Sequence, residues 1–192
     1  QVLFASAIIR FGFPDLIYQY NYLFQNSFEG SQYFLIVISI LWIVGLINAI
    51  NWVDGLDGLL IGTSIISSIG IFIISLFSNN VNSLFYSLVL ISSCLGFARY
   101  NKYPAKIILG DCGSYLIGFI LSIISVNSIL NSQINSSSVS LINFLFSIIF
   151  LLFIPLSDMV RVITKRIIEG KNPFKGDRAH IHYLLIDRGI KY

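Results

Sequence analysis

The stretch Asn48–Gly62, written NAINWVDGLDGLLIG, lies between two long apolar runs and places two carboxylates, Asp54 and Asp57, and two glycines within five positions. The flanking runs, Tyr33–Ile50 and Leu59–Phe77, are each long enough to cross a bilayer core at about 1.5 Å per residue. Acidic side chains at the edge of membrane spans are costly unless they face water, a partner or a metal, so the stretch predicts a functional site. A plain polar turn is the alternative, and it explains the glycines but not the acids.

The composition is that of an integral membrane protein. Of the 192 residues, 56% are hydrophobic and 11% are charged, whereas soluble domains carry about 25% charged residues. The apolar runs are continuous and lack the alternation of barrel strands, so we predict an all-α, polytopic transmembrane helical bundle. We expect a single membrane-embedded domain over residues 1–192. The chain has no initiating Met, which suggests a fragment, and its two cysteines do not suggest a disulfide.

The charges predict how the bundle is oriented. About five full spans are expected after a partial first one at the start of the chain, at Tyr33–Ile50, Leu59–Phe77, about 84–98, about 115–130 and Leu141–Val160. The connections 78–83 and 131–140 carry no charge, whereas 98–114 carries three basic residues and the loop 161–192 carries eight. The positive-inside rule places both basic segments in the cytoplasm, and counting spans places the turn 51–58 there too. Three polar clusters are therefore expected to form active-site loops at one membrane face.

The second cluster is Asn101–Ser114, written NKYPAKIILGDCGS. Pro104 rules out a helix through the residue before it. Glycines on both sides of Asp111 let the backbone approach a ligand, and Ser114 is expected to cap the span that begins at Tyr115. The free N–H groups and the dipole of that helix end favour a phosphate, or a carboxylate that holds a metal. The alternative is a capped helix start with an incidental aspartate.

The third cluster is the basic tail. Apolar residues near helical spacing in Val160–Ile168, with basic residues between them, predict an amphipathic interfacial helix that Gly170 ends. The two histidines, His180 and His182, would share a face only in an extended segment. Phosphate contact, proton transfer and metal binding are the candidate roles, although His-x-His alone is a weak zinc signal. A basic juxtamembrane tail that binds anionic lipid is the alternative.

Together the clusters indicate one kind of chemistry. Carboxylates beside a glycine-rich helix start suit Mg²⁺ with a diphosphate, and basic and histidine side chains neutralise phosphates. A site at the membrane surface with an apolar surround could join a soluble nucleotide substrate to a lipid phosphate. The residues therefore predict phosphoryl transfer at an interface, with no nucleic-acid partner.

Three motifs carry a resemblance to a known family. NAINWVDGLDGLLIG resembles the NxxNxxDGLDGLA signature of the polyprenyl-phosphate N-acetylhexosamine-1-phosphate transferases (glycosyltransferase family 4), and NKYPAKIILGDCGSYLIG resembles their NxxPAKxFMGDxGSxxLG element. RIIEGKNPFKGDRAHIHYLL is similar to the RxxxGxxPFxxDRxHxHHxL element of the undecaprenyl-phosphate GlcNAc-1-phosphate transferase-like branch, which starts O-antigen, enterobacterial common antigen and teichoic-acid linkage units. The related phospho-MurNAc-pentapeptide transferase has three consecutive histidines there.

The resemblance implies a reaction and a place. A UDP-sugar and undecaprenyl phosphate would give undecaprenyl-diphosphate-sugar and UMP, with Mg²⁺, or Mn²⁺ as the alternative metal. The reaction would start a cell-envelope polysaccharide such as lipopolysaccharide, at the bacterial inner (cytoplasmic) membrane, with the active site facing the cytoplasm. A homodimer is an open expectation. The sugar, the polymer and the general base are not assigned.

The resemblance also implies roles for residues at matching positions. Asp111 would bind the metal. The catalytic set would be Asp54, Asp57, Asp111, His180 and His182. The substrate-binding set would be Asn48, Asn51, Gly55, Leu56, Asn101, Lys106, Asp177 and Arg178.

Three departures from the family pattern stand out. The adjacent aspartate pair that precedes these motifs in the family has no counterpart here, Ile108 stands where relatives often carry Phe, and Tyr183 replaces the last histidine. We therefore expect the isolated 192-residue segment to be inactive and its full-length parent to be active.

Two other classes of protein are alternatives. In a transporter or lipid flippase, the acids would couple to ion movement, but such acids lie deep in the spans, and inverted halves are not visible in this sequence. The other alternative is an inactive membrane scaffold. The substitution Asp111→Asn separates these classes, because only an enzyme would lose a nucleotide product.

Overall fold

The computed structural model describes residues 1–7, 31–135, 149, 152–170, 172 and 180–187. Within these residues every regular element is a helix, which confirms the all-α prediction for this part of the chain. The helices are α1 (Val2–Ala7), α2 (Ser31–Val53), α3 (Leu59–Phe77), α4 (Val81–Asn101), α5 (Gly110–Asn135), α6 (Phe153–Ile168) and α7 (Ile181–Asp187).

Helices α2 to α5 contain segments long and apolar enough to cross a membrane, judged by length and composition. These segments are Ile36–Val53, Leu59–Phe77, Val81–Asn101 and Gly110–Ser128. They confirm four of the five predicted spans, and the third and fourth are longer than the expected 84–98 and 115–130. Helix α4 begins early because the Asn80 side chain caps it by accepting from the Ser83 N–H (3.1 Å).

The fifth predicted span, Leu141–Val160, is described only in part. Residues 141–148, 150 and 151 lie outside the described residues, and 153–160 form the first half of α6. Helix α6 continues to Ile168 and ends at its C-cap Glu169, directly before Gly170, as the sequence predicts. Its buried residues recur every three or four positions and so share one face, namely Pro155, Asp158, Val162 and Arg166. The predicted helix is therefore confirmed, but the apolar residues on which the prediction rested, such as Val160, Ile167 and Ile168, are exposed, and the buried face carries two charged residues. The interfacial placement of this helix stays a prediction.

Helices α2 and α5 approach each other closely. A Cβ added at Gly118 of α5 would lie 2.9 Å from the Cα of Ile47 and 3.2 Å from the Cβ of Ile50, both in α2. Small residues permit such close approach between membrane helices. The Trp42 indole N–H also donates to the Ser125 hydroxyl (2.9 Å) across this pair. The α2–α5 pair is thus fixed in register.

The other spans pack around this pair. Helix α3 packs along α4, and both contact α5. Apolar side chains from these helices form one buried core that includes Leu60, Ile71 and Leu121. Far from the turn 54–58, the Asn80 side chain donates to the Asn127 carbonyl (3.1 Å), which ties the α3–α4 connection to α5. This framework carries the turn 54–58 and the loop 102–109 at its opposite end, called here the site end.

Candidate active site

The DGLDG turn, residues 54–58, connects α2 to α3 at the site end. Gly58 adopts φ +76°, in the left-handed region where a side chain would be strained. The Asp54 N–H bonds to the Asn51 carbonyl (3.2 Å), and the Leu59 N–H bonds to the Leu56 carbonyl (3.1 Å). The tight turn therefore presents its two carboxylates beyond the ends of the apolar helices.

Asn51 joins this turn to the start of α5. Its side-chain amide nitrogen Nδ2 donates to Asp111 Oδ1 (3.0 Å) and to the buried Ser114 hydroxyl (2.9 Å). Both contacts lie nearer to the site end than Gly118, the residue at which α5 approaches α2 closely. The close packing of these helices therefore places the first and second sequence clusters side by side.

The expected cap at Ser114 is wrong. Helix α5 begins at Gly110, so Ser114 lies within its first turns, and its hydroxyl donates to the Asp111 carbonyl (3.1 Å). The helix begins as soon as the loop 102–109 ends, before the apolar residues that the sequence prediction relied on. Asp111 is consequently the acidic residue of the first turn, where the helix dipole favours a negative charge.

The electrostatics of Asp54 indicate a place for a cation. Burial, and secondly the negative charge of Asp111, raise the pKa of Asp54 above its ordinary value. A divalent cation between two such carboxylates would relieve their repulsion. Among the described residues no three His, Cys, Asp or Glu side chains form a metal-binding group. The pair of carboxylates, Asp54 and Asp111, fits Mg²⁺, which takes one or two carboxylates plus substrate phosphate oxygens.

The loop 102–109 is held against the turn by side chains from the predicted site. Asp57 Oδ2 accepts the Ala105 N–H (2.8 Å), and Asn101 Oδ1 accepts the Gly58 N–H (3.1 Å). Asn101 is only 5% exposed, and its Nδ2 also donates to the Ile107 carbonyl (3.1 Å). In this structure Asp57 and Asn101 therefore connect the two site segments. Their direct roles in catalysis and nucleotide binding stay predictions.

The other predicted substrate residues of these two clusters also lie at the site end. Asn48, one turn before Asn51, donates to the Val44 carbonyl (2.7 Å) and to the Gln1 side chain (2.8 Å). Gly55 is exposed and Leu56 is partly buried within the turn, while Lys106 is exposed on the loop. Their substrate contacts stay predictions.

The third cluster joins the site through His180, which is 8% exposed. Its ring packs edge-on against the Trp52 ring, with centroids 5.1 Å apart. Trp52 lies two residues before Asp54, so the prediction that three clusters meet at one end of the bundle is confirmed. Asp177 and Arg178 lie outside the described residues, as does the side chain of His182.

The two histidines do not lie in an extended segment, the condition under which they would share a face. The His180 carbonyl accepts the N–H groups of Tyr183 (3.1 Å) and Leu184 (3.3 Å), which starts a helical turn. Helix α7 therefore begins at Ile181, and His182 belongs to it. Residues two apart do not share a helix face.

Several residues of this region were not predicted from the sequence. Asp158 contacts His180, Arg166 contacts both His180 and Trp52, and Arg161 contacts Asp158. Asp158 had a detectable signal, because it is an acid within the apolar run predicted as the fifth span. Arg166 is the first residue of the third motif, whereas Trp52 and Arg161 carried no signal that separates them from ordinary interfacial residues.

The fold and site define a polytopic α-helical membrane protein with paired carboxylates at one end of its bundle. The family profile described as glycosyl transferase family 4 matches residues 1–129. The chain belongs to this family, which confirms the resemblance carried by the motifs.

Curated relatives agree with this assignment. The chain is 39% identical over 155 residues to a probable undecaprenyl-phosphate N-acetylglucosaminyl 1-phosphate transferase of Bacillus subtilis, covering 81% of this chain and 41% of that protein. It is 34% identical over 166 residues to a decaprenyl-phosphate N-acetylglucosaminephosphotransferase of Mycobacterium leprae, covering 80% and 42%. It is 32% identical over 114 residues to a phospho-N-acetylmuramoyl-pentapeptide-transferase of Listeria welshimeri, covering 59% and 35%. The chain thus spans about two fifths of the length of the first two relatives.

Proposed function

We propose that the full-length protein containing this chain transfers a sugar-1-phosphate from a UDP-sugar to undecaprenyl phosphate and releases UMP. The sugar is an N-acetylhexosamine, and the reaction is the first step of a cell-envelope polysaccharide. The observation that carries the proposal is the Asn51 bridge to Asp111 and Ser114, which joins the DGLDG turn to the start of α5. The names of the relatives specify undecaprenyl or decaprenyl phosphate, which supports the substrate class.

Asp111 and Asp54 would hold one Mg²⁺, with Mn²⁺ as a substitute. When bound, the ion neutralises charge on the diphosphate oxygens and on the leaving UMP. The donor set supports this assignment, because two carboxylates that repel each other favour a cation between them. The helix N-terminus at Asp111 favours the phosphate that the cation would also bind. Asn51 holds Oδ1 of Asp111 and so orients its carboxylate toward the site.

In the proposed reaction an oxygen of undecaprenyl phosphate attacks the phosphorus that carries the sugar. The bond from this phosphorus to the oxygen bridging it to the uridine-side phosphate breaks, and UMP leaves with that oxygen. Catalysis of such a transfer rests on positioning and charge stabilisation. Asp57 and Asn101 support the positioning by fixing the loop 102–109. The exposed Lys106 on this loop supplies positive charge for a phosphate.

The proposed location is the bacterial inner membrane, with the site end in the cytoplasm. The basic residues of 98–114 and 161–192 support this orientation by the positive-inside rule. A cytoplasmic site would also give access to a nucleotide sugar, while the apolar helices keep the lipid substrate within reach. A homodimer stays a prediction.

The test is UMP release by membranes that contain the full-length protein, supplied with undecaprenyl phosphate, Mg²⁺ and one UDP-sugar at a time. We expect release with one N-acetylhexosamine donor, loss with EDTA, and recovery with added Mg²⁺. Asp111→Asn should lower the rate by about 100-fold or more, as expected when a group that stabilises the transition state is removed.

Asp187→Asn is the matched control, because Asp187 is an exposed acid of α7 outside the site. Its rate should equal that of the wild type. Folded, inserted protein that releases no UMP with any donor would contradict the proposal and favour the scaffold or transport classes.

A further inference from the structure

A buried carboxylate, that of Asp158, contacts the third cluster at His180. Asp158 is 1% exposed and projects from α6. Its Oδ1 accepts the Arg161 Nη2–H at 2.7 Å, and its Oδ2 lies 3.0 Å from His180 Nδ1. Both carboxylate oxygens therefore have fixed partners. A buried charge arranged in this way is costly to keep unless its partners are well placed.

The contacts of His180 indicate where its ring proton lies. The second ring nitrogen, Nε2, is 3.5 Å from Arg166 Nη2. A guanidinium can only donate hydrogen bonds, so a hydrogen bond at this contact requires the tautomer in which Nε2 is unprotonated. In that tautomer Nδ1 carries the proton and donates to Asp158 Oδ2, 3.0 Å away.

The same cluster reaches the DGLDG turn. The Arg166 guanidinium carbon is 5.7 Å from the centroid of the Trp52 ring, within the range of a cation–π contact. Arg166 is 2% exposed, and the edge of the His180 ring packs against the same Trp52 ring. Trp52 belongs to the last turn of α2, two residues before Asp54. A continuous set of contacts thus runs from Asp158 to the helix end that leads into the turn.

We propose that Asp158 is a positioning residue for the transfer reaction. It fixes the tautomer and orientation of the His180 ring and, through that ring, the contact of Arg166 with Trp52 beside the turn. This inference rests on the proposed function. The physical reason is that a carboxylate accepting from one ring nitrogen leaves the other as an acceptor, as in other carboxylate–histidine pairs.

The first experiment reads the tautomer directly. Solid-state ¹⁵N NMR is recorded on the full-length protein in bilayers, labelled at histidine, at a pH where the ring is neutral. The signals that disappear in His180→Gln are those of His180. We expect Nδ1 to be protonated and Nε2 unprotonated in the wild type. A proton on Nε2, wholly or in part, would overturn the proposal. This result does not depend on any enzyme assay.

The second experiment compares Asp158→Asn with the wild type. An asparagine has nearly the same shape but can also donate, so it no longer enforces one tautomer. We expect part of the His180 proton to move to Nε2, kcat per folded molecule to fall about 10–100-fold, and KM for the UDP-sugar to change little. Unchanged kcat and unchanged ¹⁵N signals in the variant would overturn the proposal.

The control for charge removal is Glu169→Gln. Glu169 is exposed at the end of α6 and lies 3.9 Å from Lys165 Nζ, so it tests loss of a carboxylate on the same element. Its kcat and histidine spectrum should match the wild type. If Asp158 had only a structural role, Asp158→Asn would reduce the amount of folded protein while kcat per folded molecule stayed constant. If the wild type releases no UMP, the proposed function fails. The ¹⁵N spectrum of the wild type still shows whether Asp158 fixes the tautomer of His180.

Discussion

Gly118→Ala tests whether close helix packing sets the geometry of the site. The added methyl group would lie 2.9 Å from the Ile47 Cα, whereas ordinary contact begins at 3.4 Å. The obstructing atom is backbone, so no side-chain rotation relieves the clash. Helices α2 and α5 must therefore separate by about 0.5 Å, the difference between these distances.

This separation acts on the site because the same two helices carry Asn51 and Asp111. Their 3.0 Å hydrogen bond would lengthen to about 3.5 Å, the point at which such a bond is largely lost. Overpacking of this kind costs about 1–3 kcal/mol of stability. A displacement of about 1 Å can lower a rate about 100-fold, so half of that displacement predicts about a tenfold loss of kcat.

The assay measures UMP release and thermal stability of the full-length variant in the same membranes. Gly45→Ala is the matched control, because a Cβ at Gly45 of α2 meets nothing within 4 Å. It should keep the wild-type rate, and its stability should be equal or slightly higher, since Ala is a better helix former than Gly. Wild-type rate and stability in Gly118→Ala would refute the packing argument.

Three further predictions concern the turn and its partners. Asp57→Asn weakens the hydrogen bond from the Ala105 N–H, and such a bond to a charged acceptor is worth about 1.5–3 kcal/mol. The backbone amides of the loop 102–109 should therefore exchange hydrogen faster in this variant, and unchanged exchange would contradict this role of Asp57. Because burial, and then the charge of Asp111, raise the pKa of Asp54, that carboxyl keeps its proton to higher pH than an ordinary aspartate. Protons should then compete with Mg²⁺, so the Mg²⁺ concentration for half-maximal rate should rise as the pH is lowered, and a value independent of pH would count against the paired site. Gly58→Ala places a side chain at φ +76° and should lower stability by about 1–2 kcal/mol, as thermal unfolding would report.

The membrane spans could be predicted from the sequence because each is encoded by a long, continuous run of apolar residues. Continuous apolar runs of this length are typical of membrane spans, and the four spans that the structure describes lie where those runs lie. The distribution of basic residues also predicted that the three clusters meet at one end. The contacts Asn51–Asp111, Asp57–Ala105 and Trp52–His180 confirm that meeting.

Helix boundaries and the second set of site residues were harder to predict. The sequence predicted that α5 begins at Tyr115, where the apolar residues begin. The helix begins earlier, at Gly110, and polar residues of its first turn such as Asp111 form side-chain hydrogen bonds with α2. Asp158 was visible as an acid within an apolar run, and Arg161 follows it by three residues on the same helix, but only tertiary packing brings His180 to it. Local pattern carries no information on partners this distant in the chain.

Asp57 and Asn101 illustrate a different gap. Their motif positions suggest contact with substrate, yet both side chains hold the loop 102–109 against the turn in this structure. A motif identifies which residues matter and leaves open whether they touch the substrate or position those that do. Kinetic comparison of kcat with KM separates the two roles.

The most direct measurement of the central claim follows the phosphate itself. Full-length protein in membranes receives undecaprenyl phosphate, Mg²⁺ and a UDP-N-acetylhexosamine labelled with ³²P at the phosphate that carries the sugar. Transfer of a sugar-1-phosphate predicts that the label moves to the lipid and that the released nucleotide is unlabelled UMP. Label that remains with the nucleotide as UDP, while the sugar passes to the lipid, would contradict the account.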